Sequence, residues 1–476
     1  MKRFIEGQSR SQTTLLPESL DEYIAEGNAT RFIEAFVNQL ALTDLGFKRA
    51  EPAATGRPGY HPAVLLKLYV YGYMNRIQSS RRLERESHRN VELMWLTERL
   101  MPDFKTIADF RRDNEAAIRQ VCVEFVGFCR RLELFSDALV AIDGSKFKAV
   151  NSRDKNFTRH SVKRRMQRLQ AHINRYLSKL DAADAEEPEI REITVEELKA
   201  KIASMAAQMD ELKARQAEVE AHPDKQVSLT DPDARSMAKA GGGSVVGYNV
   251  QTAVDSESHL IVAHEVTNAT TDRDQLASVA GQAKEAMERS GLTVTADAGY
   301  YKGEEIVACQ GNGISALVPK PDTSESKARG RYGKSDFHYD SQHDVYRCPA
   351  GETLTYRFDS HEKGKTLRVY MTSRCSTCPL KDKCTTGNAR RIKRWEHEHL
   401  LEVVAAELKK HPDAMRMRKQ IVEHPYGTIK HWMGTTHFLM KRLENVRTEM
   451  SLHVLAYNMR RAINLRGVPA LVAALT

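Results

Sequence analysis

The strongest constraint on this sequence lies in its middle. Val162, Met166, Leu169, Ile173, Tyr176 and Leu180 recur at alternating steps of four and three. After an acidic break containing Pro188, Leu198, Ile202, Met205, Met209, Leu212 and Val219 keep the same phase. Two such stripes predict an antiparallel coiled-coil hairpin over 156–222. Strand-like segments stand on both sides of it. The hairpin is therefore an insertion, and the core around it is discontinuous along the chain.

Residues 1–135 read as helical. Phe32, Ile33, Phe36, Val37 and Leu40 share a face after an Asn28 cap. Pro62 suits the first turn of a helix from Ala63 to Tyr71. Thr106 can cap one long helix carrying Ile107, Phe110, Ile118, Val121, Cys122, Phe125 and Cys129. Short helices with basic turns at Arg81 and Arg82 suit a helix-turn-helix reader of DNA or, equally, a plain bundle.

The pattern then changes. Ala138 to Ile142 is an apolar run that predicts a buried strand ending in Asp143-Gly144. Strands follow at Val245–Val254 and His259–Thr267. A helix capped by Thr271 runs from Asp272 to Ser290 and stops at Gly291. Leu292–Ala296 is a strand ending in Asp297. A helix from Gly303 to Cys309 and a strand from Ile314 to Val318 complete the unit. Such an order means a sheet with helices on its faces. Residues 319–340 read as a polar loop, and from His397 to about 466 the chain is helical again.

Charge adds a partner. Lys plus Arg number 72 against 63 Asp plus Glu, a net +9. From Arg153 to Lys179 there are nine Lys or Arg and one acid, Asp154. Such a run suits phosphate contact better than simple solvation. Apolar residues make up 41%, ample for a core. No stretch approaches the roughly 18 apolar residues of a membrane span, and the polar start of the chain has no secretory h-region. The 7 cysteines are odd in number and unevenly spread, which favours a reducing compartment, the cytoplasm.

Asp143 and Asp297 each close an apolar strand. Alone, each reads as a turn cap. Together on one sheet they equally suit Mg²⁺, which takes carboxylates plus substrate phosphate. Glu423 is the candidate third carboxylate, with Lys430 two helical turns on. Pro425 would place Glu423 near a helix start. Glu444 and Glu449 compete as surface acids. Cys348, Cys375, Cys378 and Cys384 are either a four-thiolate Zn²⁺ site or free thiols, with His397 and His399 as possible substitutes.

These residues resemble the DDE-type transposases of bacterial insertion sequences. The resemblance runs nearly end to end. It includes Arg10–Pro17, His61–Leu68, Ser79–Glu84, Thr106–Arg111, Ile142–Phe147, Thr295–Tyr301, the Glu423 segment and Leu455–Asn458. It implies an α+β or α/β fold: a helical DNA-binding domain at 1–135, then a discontinuous ribonuclease-H-like catalytic domain at 136–466. The coiled-coil insert at 156–222, a basic Cys-rich insert at 319–400 and a tail at 467–476 complete the division. It implies a catalytic, metal-holding triad of Asp143, Asp297 and Glu423, with two Mg²⁺ or Mn²⁺ ions. In the relatives' Tyr-x2-Arg-x3-Glu-x6-Lys signature, Glu423 and Lys430 match, while Arg416 and Lys419 replace Tyr and Arg.

The expected activity is cleavage of element ends and joining of 3′ ends to target DNA. A nuclease or resolvase on the same core, or a silent DNA-binding protein, are the alternatives. Candidate DNA contacts are Arg81, Arg82, Arg111, Arg112, Lys146, Lys163, Arg164, Arg165, Arg391, Lys419 and Lys430. The expected partners are double-stranded DNA and a second copy of the chain, in a bacterial cytoplasm at the nucleoid, with no membrane.

Overall fold

The structure is a computed structural model that describes residues 19–52, 54–55, 58–136, 139–184, 195–239, 242–322 and 325–475. The Arg10–Pro17 motif and the hairpin turn around Pro188 lie outside the described residues. The protein is mixed α+β.

In chain order the helices begin with α1 (Ala29–Asn38), α2 (Pro62–Met74), α3 (Ser80–Ser87), α4 (Val91–Leu96), α5 (Phe104–Asp113) and α6 (Glu115–Arg131). Next come β1 (Val140–Lys148), β2 (Asn156–Thr158), α7 (Arg159–Asp184), α8 (Val195–Ala221) and β3 (Gln226–Ser228). Then follow β4 (Arg235–Ala238), β5 (Ser244–Asp255), β6 (Ile261–Thr267), α9 (Leu276–Met287), β7 (Leu292–Thr295), α10 (Gly303–Gly311) and β8 (Ile314–Leu317). A short α11 (Glu325–Ala328) precedes β9 (His338–Asp340), β10 (Val345–Arg347), β11 (Thr353–Glu362), β12 (Lys365–Met371) and β13 (Ile392–Trp395). The chain ends in α12 (Glu398–Lys410), α13 (Ala414–Gly427), α14 (Leu443–Arg466) and α15 (Val468–Ala473). The helix α15 falls in the segment expected to be a tail.

The chain divides into two units. The first comprises Met1–Asp137, Asp143–Thr271 and Ile421–Thr476; the second comprises Ala138–Ile142 and Asp272–Gln420. The strand β1 gives residues to both.

In the first unit, Asn28 caps α1 by accepting from the Thr30 amide, and Pro62 sits in the first turn of α2. The single long helix expected after Thr106 is two helices. Asp103, not Thr106, is the cap. Asn114 breaks the run: its side chain donates to the Phe110 carbonyl at 2.8 Å and accepts from the Lys48 amide at 2.7 Å. An asparagine with such local partners competes with the helix ladder.

The helix α14 is buried almost all round and packs against α2, α6 and β6. The N-terminal helices therefore share their core with the end of the chain. Strands β4, β5 and β6 run antiparallel. The side chain of Asn458 on α14 completes the edge of β6, accepting from the Ile261 amide at 2.9 Å and donating to its carbonyl at 2.8 Å. The expected strand end at Asp143 is corrected. Phe147 and Ala149 are each 1% exposed and keep the buried pattern going, so β1 continues to Lys148. Gly247 of β5 lies so close to this stretch that a Cβ there would sit 1.9 Å from the Phe147 carbonyl oxygen.

The hairpin forms as its apolar stripes require. Helices α7 and α8 pack along each other. Strands β2 and β3 pair antiparallel at its base, over a cluster of Phe157, Val162 and Val219.

In the second unit, the first residues of β1 pair parallel with β7, and β7 pairs parallel with β8. Helix α9 is shorter than expected: Glu288, at φ 50°, ends it in a left-handed turn before Gly291 is reached. Strands β9 to β13 form an antiparallel sheet where the sequence predicts a loop and a Cys-rich insert. Its core is small: Phe337, Tyr346, Leu354, Tyr370 and Ile392. Among the described residues no helix is long and apolar enough to cross a membrane.

Candidate active site

Asp143 stands half-buried in the first unit, within β1. Its carboxylate accepts from the Gly144 amide at 2.8 Å. Its carbonyl oxygen lies 3.0 Å from the Tyr426 hydroxyl, which also lies 2.8 Å from the Val250 carbonyl. One proton serves these two acceptors in turn. The Thr252 hydroxyl donates to the Tyr426 oxygen at 3.1 Å. Tyr426 thus ties α13 to both β1 and β5.

Lys430 reaches the same stretch of β1. Its Nζ donates to the Ser145 hydroxyl and sits 4.5 Å from the centre of the Phe147 ring. Burial pushes its pKa down; Asp143 opposes that shift, while Lys239 and Lys146 add to it. Lys430 is therefore partly buried, and its charge is held less firmly.

Glu423 is exposed on α13. Pro425 does not open the helix, as its place in the sequence suggests, but lies inside it near its end. A proline there has no N–H for the Ile421 carbonyl, and His259 Nδ1 lies 3.4 Å from that oxygen. The chain then widens into a π turn at Thr428–Trp432, the kind of local strain seen near functional positions. Glu423 and Lys430 are joined by continuous helix, but not by regular α-helical phase. His424 lies against His259 with ring centres 4.9 Å apart and planes tilted by 33°, and its Nδ1 is 2.9 Å from the Tyr457 hydroxyl oxygen. Tyr457 donates in turn to the His259 carbonyl at 2.7 Å.

In the second unit Asp297 follows β7. It caps the turn Ala298–Tyr300, accepting from the Gly299 amide at 2.8 Å. Arg418, buried on α13, places Nη2 3.6 Å from Asp297 Oδ2 and 3.4 Å from the Ile142 carbonyl oxygen. In the sequence Arg418 is overshadowed by Lys419 beside it, which fills the signature. Tyr426 escapes notice there as well, with no spacing to mark it.

All three carboxylates are oxygen donors of the kind Mg²⁺ takes. Among the described residues no group of three or more His, Cys, Asp or Glu is arranged to hold a metal ion.

The candidate DNA contacts fall into different settings. Arg81, Arg82, Lys163, Arg164, Arg391 and Lys419 are exposed, and Lys146 is half-buried. Arg81 stacks over Phe104 at 5.1 Å. Arg112 pairs with Asp109 at 2.7 Å and Asp113 at 2.8 Å. Arg165 turns inward, donating to the Asp154 carbonyl at 2.8 Å over the Phe157 ring.

Arg111 is corrected outright: it is 8% exposed, donates to the Tyr73 hydroxyl at 2.8 Å and lies over Tyr69. Glu449, expected on the surface, is fully buried and accepts from the Leu439 and Met440 amides. Burial pushes its carboxyl pKa up, and Arg111 opposes that. Glu444 is a surface acid, paired with Arg119 at 3.1 Å.

None of the seven cysteines is in a disulfide. Cys348, Cys375, Cys378 and Cys384 line one small cavity together with Pro349, Leu354 and Leu380. Burial pushes the Cys384 pKa up; Arg390 lowers it, and the other three thiols raise it further.

Residues 18–113 match a family model described as a transposase domain, DUF772. Residues 347–463 match one described as a transposase DDE domain. The second match contains Glu423, Lys430 and the four clustered cysteines, whereas Asp143 and Asp297 precede it. Both matches are to transposase domains. The second is of the DDE type.

No protein of curated function matches. Among solved structures, a piggyBac transposase synaptic complex with hairpin DNA is similar at TM-score 0.32 and 9% identity, over 94% of this chain and 78% of that one. Likeness at that level carries no argument about function.

Proposed function

We propose that the protein mobilises a bacterial insertion sequence: it binds the terminal inverted repeats, cleaves the DNA ends and joins the 3′ ends to target DNA. The observation that carries this reading is the pair of transposase matches at 18–113 and 347–463. Parallel pairing of β1, β7 and β8, with antiparallel β4 to β6, supports a ribonuclease-H-like core.

Asp143, Asp297 and Glu423 would hold two Mg²⁺ or Mn²⁺ ions. Such ions activate an attacking oxygen and stabilise a leaving one. The chain's own side chains do the positioning. Tyr426 steadies the backbone at Asp143, and Arg418 orients the Asp297 carboxylate. Lys430, with Ser145 and Lys146 beside it, would bind a DNA phosphate. Pairing two DNA ends calls for a homodimer or larger assembly, and the substrate places the protein at the bacterial nucleoid.

Purified protein with Mg²⁺ should nick its element's terminal repeats and join 3′ ends to target DNA. Asp143→Asn should lose both while still binding DNA. Cleavage retained in that variant overturns the triad, and nicking without joining favours the nuclease reading.

The thiol cluster would hold a structural Zn²⁺. Its support is that Cys348, Cys384 and the adjacent pair Cys375 and Cys378 line one cavity beside the small core of the β9–β13 sheet. Zinc content should fall in a Cys375→Ser, Cys378→Ser double variant; an unchanged content would exclude the site.

A further inference from the structure

We propose that α7 is a DNA-backbone arm, in which Arg164, Arg168, Arg175 and Lys179 form one cationic row that lies on the phosphates of duplex DNA without reading sequence. This rests on the proposed function, since it takes DNA as the substrate.

The row follows from helix geometry. At about 100° per residue, positions 164, 168, 175 and 179 fall within about 60° of one another. They lie far round the helix from the stripe of Val162, Met166, Leu169, Ile173, Tyr176 and Leu180. At about 1.5 Å per residue the row is about 22 Å long. It consists of two pairs separated by about 10 Å. A major groove is about 12 Å wide. Each pair can therefore meet one of the two backbones that flank a groove.

Some basic residues of the hairpin have partners within it. Two at its base have structural partners: Arg159 pairs with Glu220, and Arg165 lies over Phe157. On α8, Lys213 pairs with Asp210 and Arg215 with Glu218. The four residues of the row are exposed, and among the described residues no ion pair engages them. From Arg159 to Leu180 there is no acidic residue at all.

A face serving only solubility would mix signs. Here 164/168 and 175/179 are like-charge pairs one turn apart, each costing the helix about 0.2–0.5 kcal/mol. Phosphates would relieve that repulsion. The neighbouring amides do not offer themselves to bases either, since Gln170 donates to Asn174 at 3.0 Å.

The test uses the full chain with all four positions changed to Gln. Affinity is measured by salt titration on two duplexes, one carrying the element's ends and one unrelated. Both affinities should fall together, and the slope of log K against log salt should shrink by about 3–4. Lysine at all four positions should restore the slope, because the contact requires only charge. An unchanged slope overturns the proposal. So does intact DNA affinity with an altered oligomeric mass, which would assign the row to a protein partner. Asp143→Asn should keep the full slope. Should wild-type protein fail to nick while the slope still responds to the row, the catalytic reading fails and the arm stands.

Discussion

The hydroxyl of Tyr426 lies 3.0 Å from the carbonyl oxygen of Asp143. A helix side chain thus grips the backbone of the strand residue whose carboxylate is the first member of the proposed triad. Removing that oxygen in Tyr426→Phe leaves the Asp143 and Val250 carbonyls and the Thr252 hydroxyl short of a partner. Unfolding free energy should fall by about 1–3 kcal/mol. Nicking of end DNA should drop at least about tenfold while DNA affinity holds, since a misplacement costing about 1.4 kcal/mol already gives that factor. Equal nicking by wild type and variant would show that the grip has no part in positioning.

Lys430 gives a pH signature. Burial holds its pKa below that of an exposed lysine, so its charge is lost first as pH rises. If that charge binds a DNA phosphate, end affinity should begin to decline below about pH 10.4, the usual lysine value. Lys430→Arg should remove the decline, and Lys430→Met should show weak binding at every pH. A wild-type profile identical to that of the arginine variant would remove Lys430 from phosphate binding.

Two histidines of the first unit, His453 buried and His264 half-buried, weaken it as pH falls. Burial lowers His264 to about 4 and His453 to about 3, from 6.5. His264 Nε2 lies 2.9 Å from the Ser451 hydroxyl, and His453 Nδ1 lies 3.0 Å from that of Thr435. Both native values lie below the unfolded one, so below about pH 6.5 the unfolded chain binds the extra protons. Each histidine should therefore cost about 1.4 kcal/mol per pH unit as pH falls, until its native value is reached. Denaturant titrations from about pH 7 to about 4.5 should show this, and His264→Gln should remove about one proton of the dependence.

Arg111 should behave as a core residue. Arg111→Ala removes the charge that opposes the shift of Glu449 and the donor to the Tyr73 hydroxyl, and should destabilise the chain by about 1–3 kcal/mol. The salt slope of DNA binding, measured where the variant is still folded, should stay as in wild type. A smaller slope would return Arg111 to the DNA surface.

The sequence carried long-period features well. The α7–α8 stripes, the Asn28 cap and the strand–helix–strand run from β7 to β8 all follow from spacing that the fold keeps. It carried poorly whatever tertiary partners decide. Asn114 splits a helix because Lys48 is there to bond it. Glu449 is buried because the Leu439 and Met440 amides await it. The β9–β13 sheet was hidden because β11 is largely exposed, so no apolar alternation marks it. Around the candidate site, the acids could be named from motifs, but Tyr426 and Arg418 act through a backbone carbonyl and a carboxylate that only folding brings to them.

The burial of α14 against α2 and α6 also sets a clock. About three hundred residues separate Arg131 from Leu443. At about 5–20 residues per second, the ribosome takes roughly 15–60 s to cross them. Through that time the faces of α2 and α6 that α14 covers stay open. A chain stopped at Arg131 should be insoluble or degraded. Truncated copies of the gene would then yield no stable fragment able to compete with the full-length protein for the element's ends.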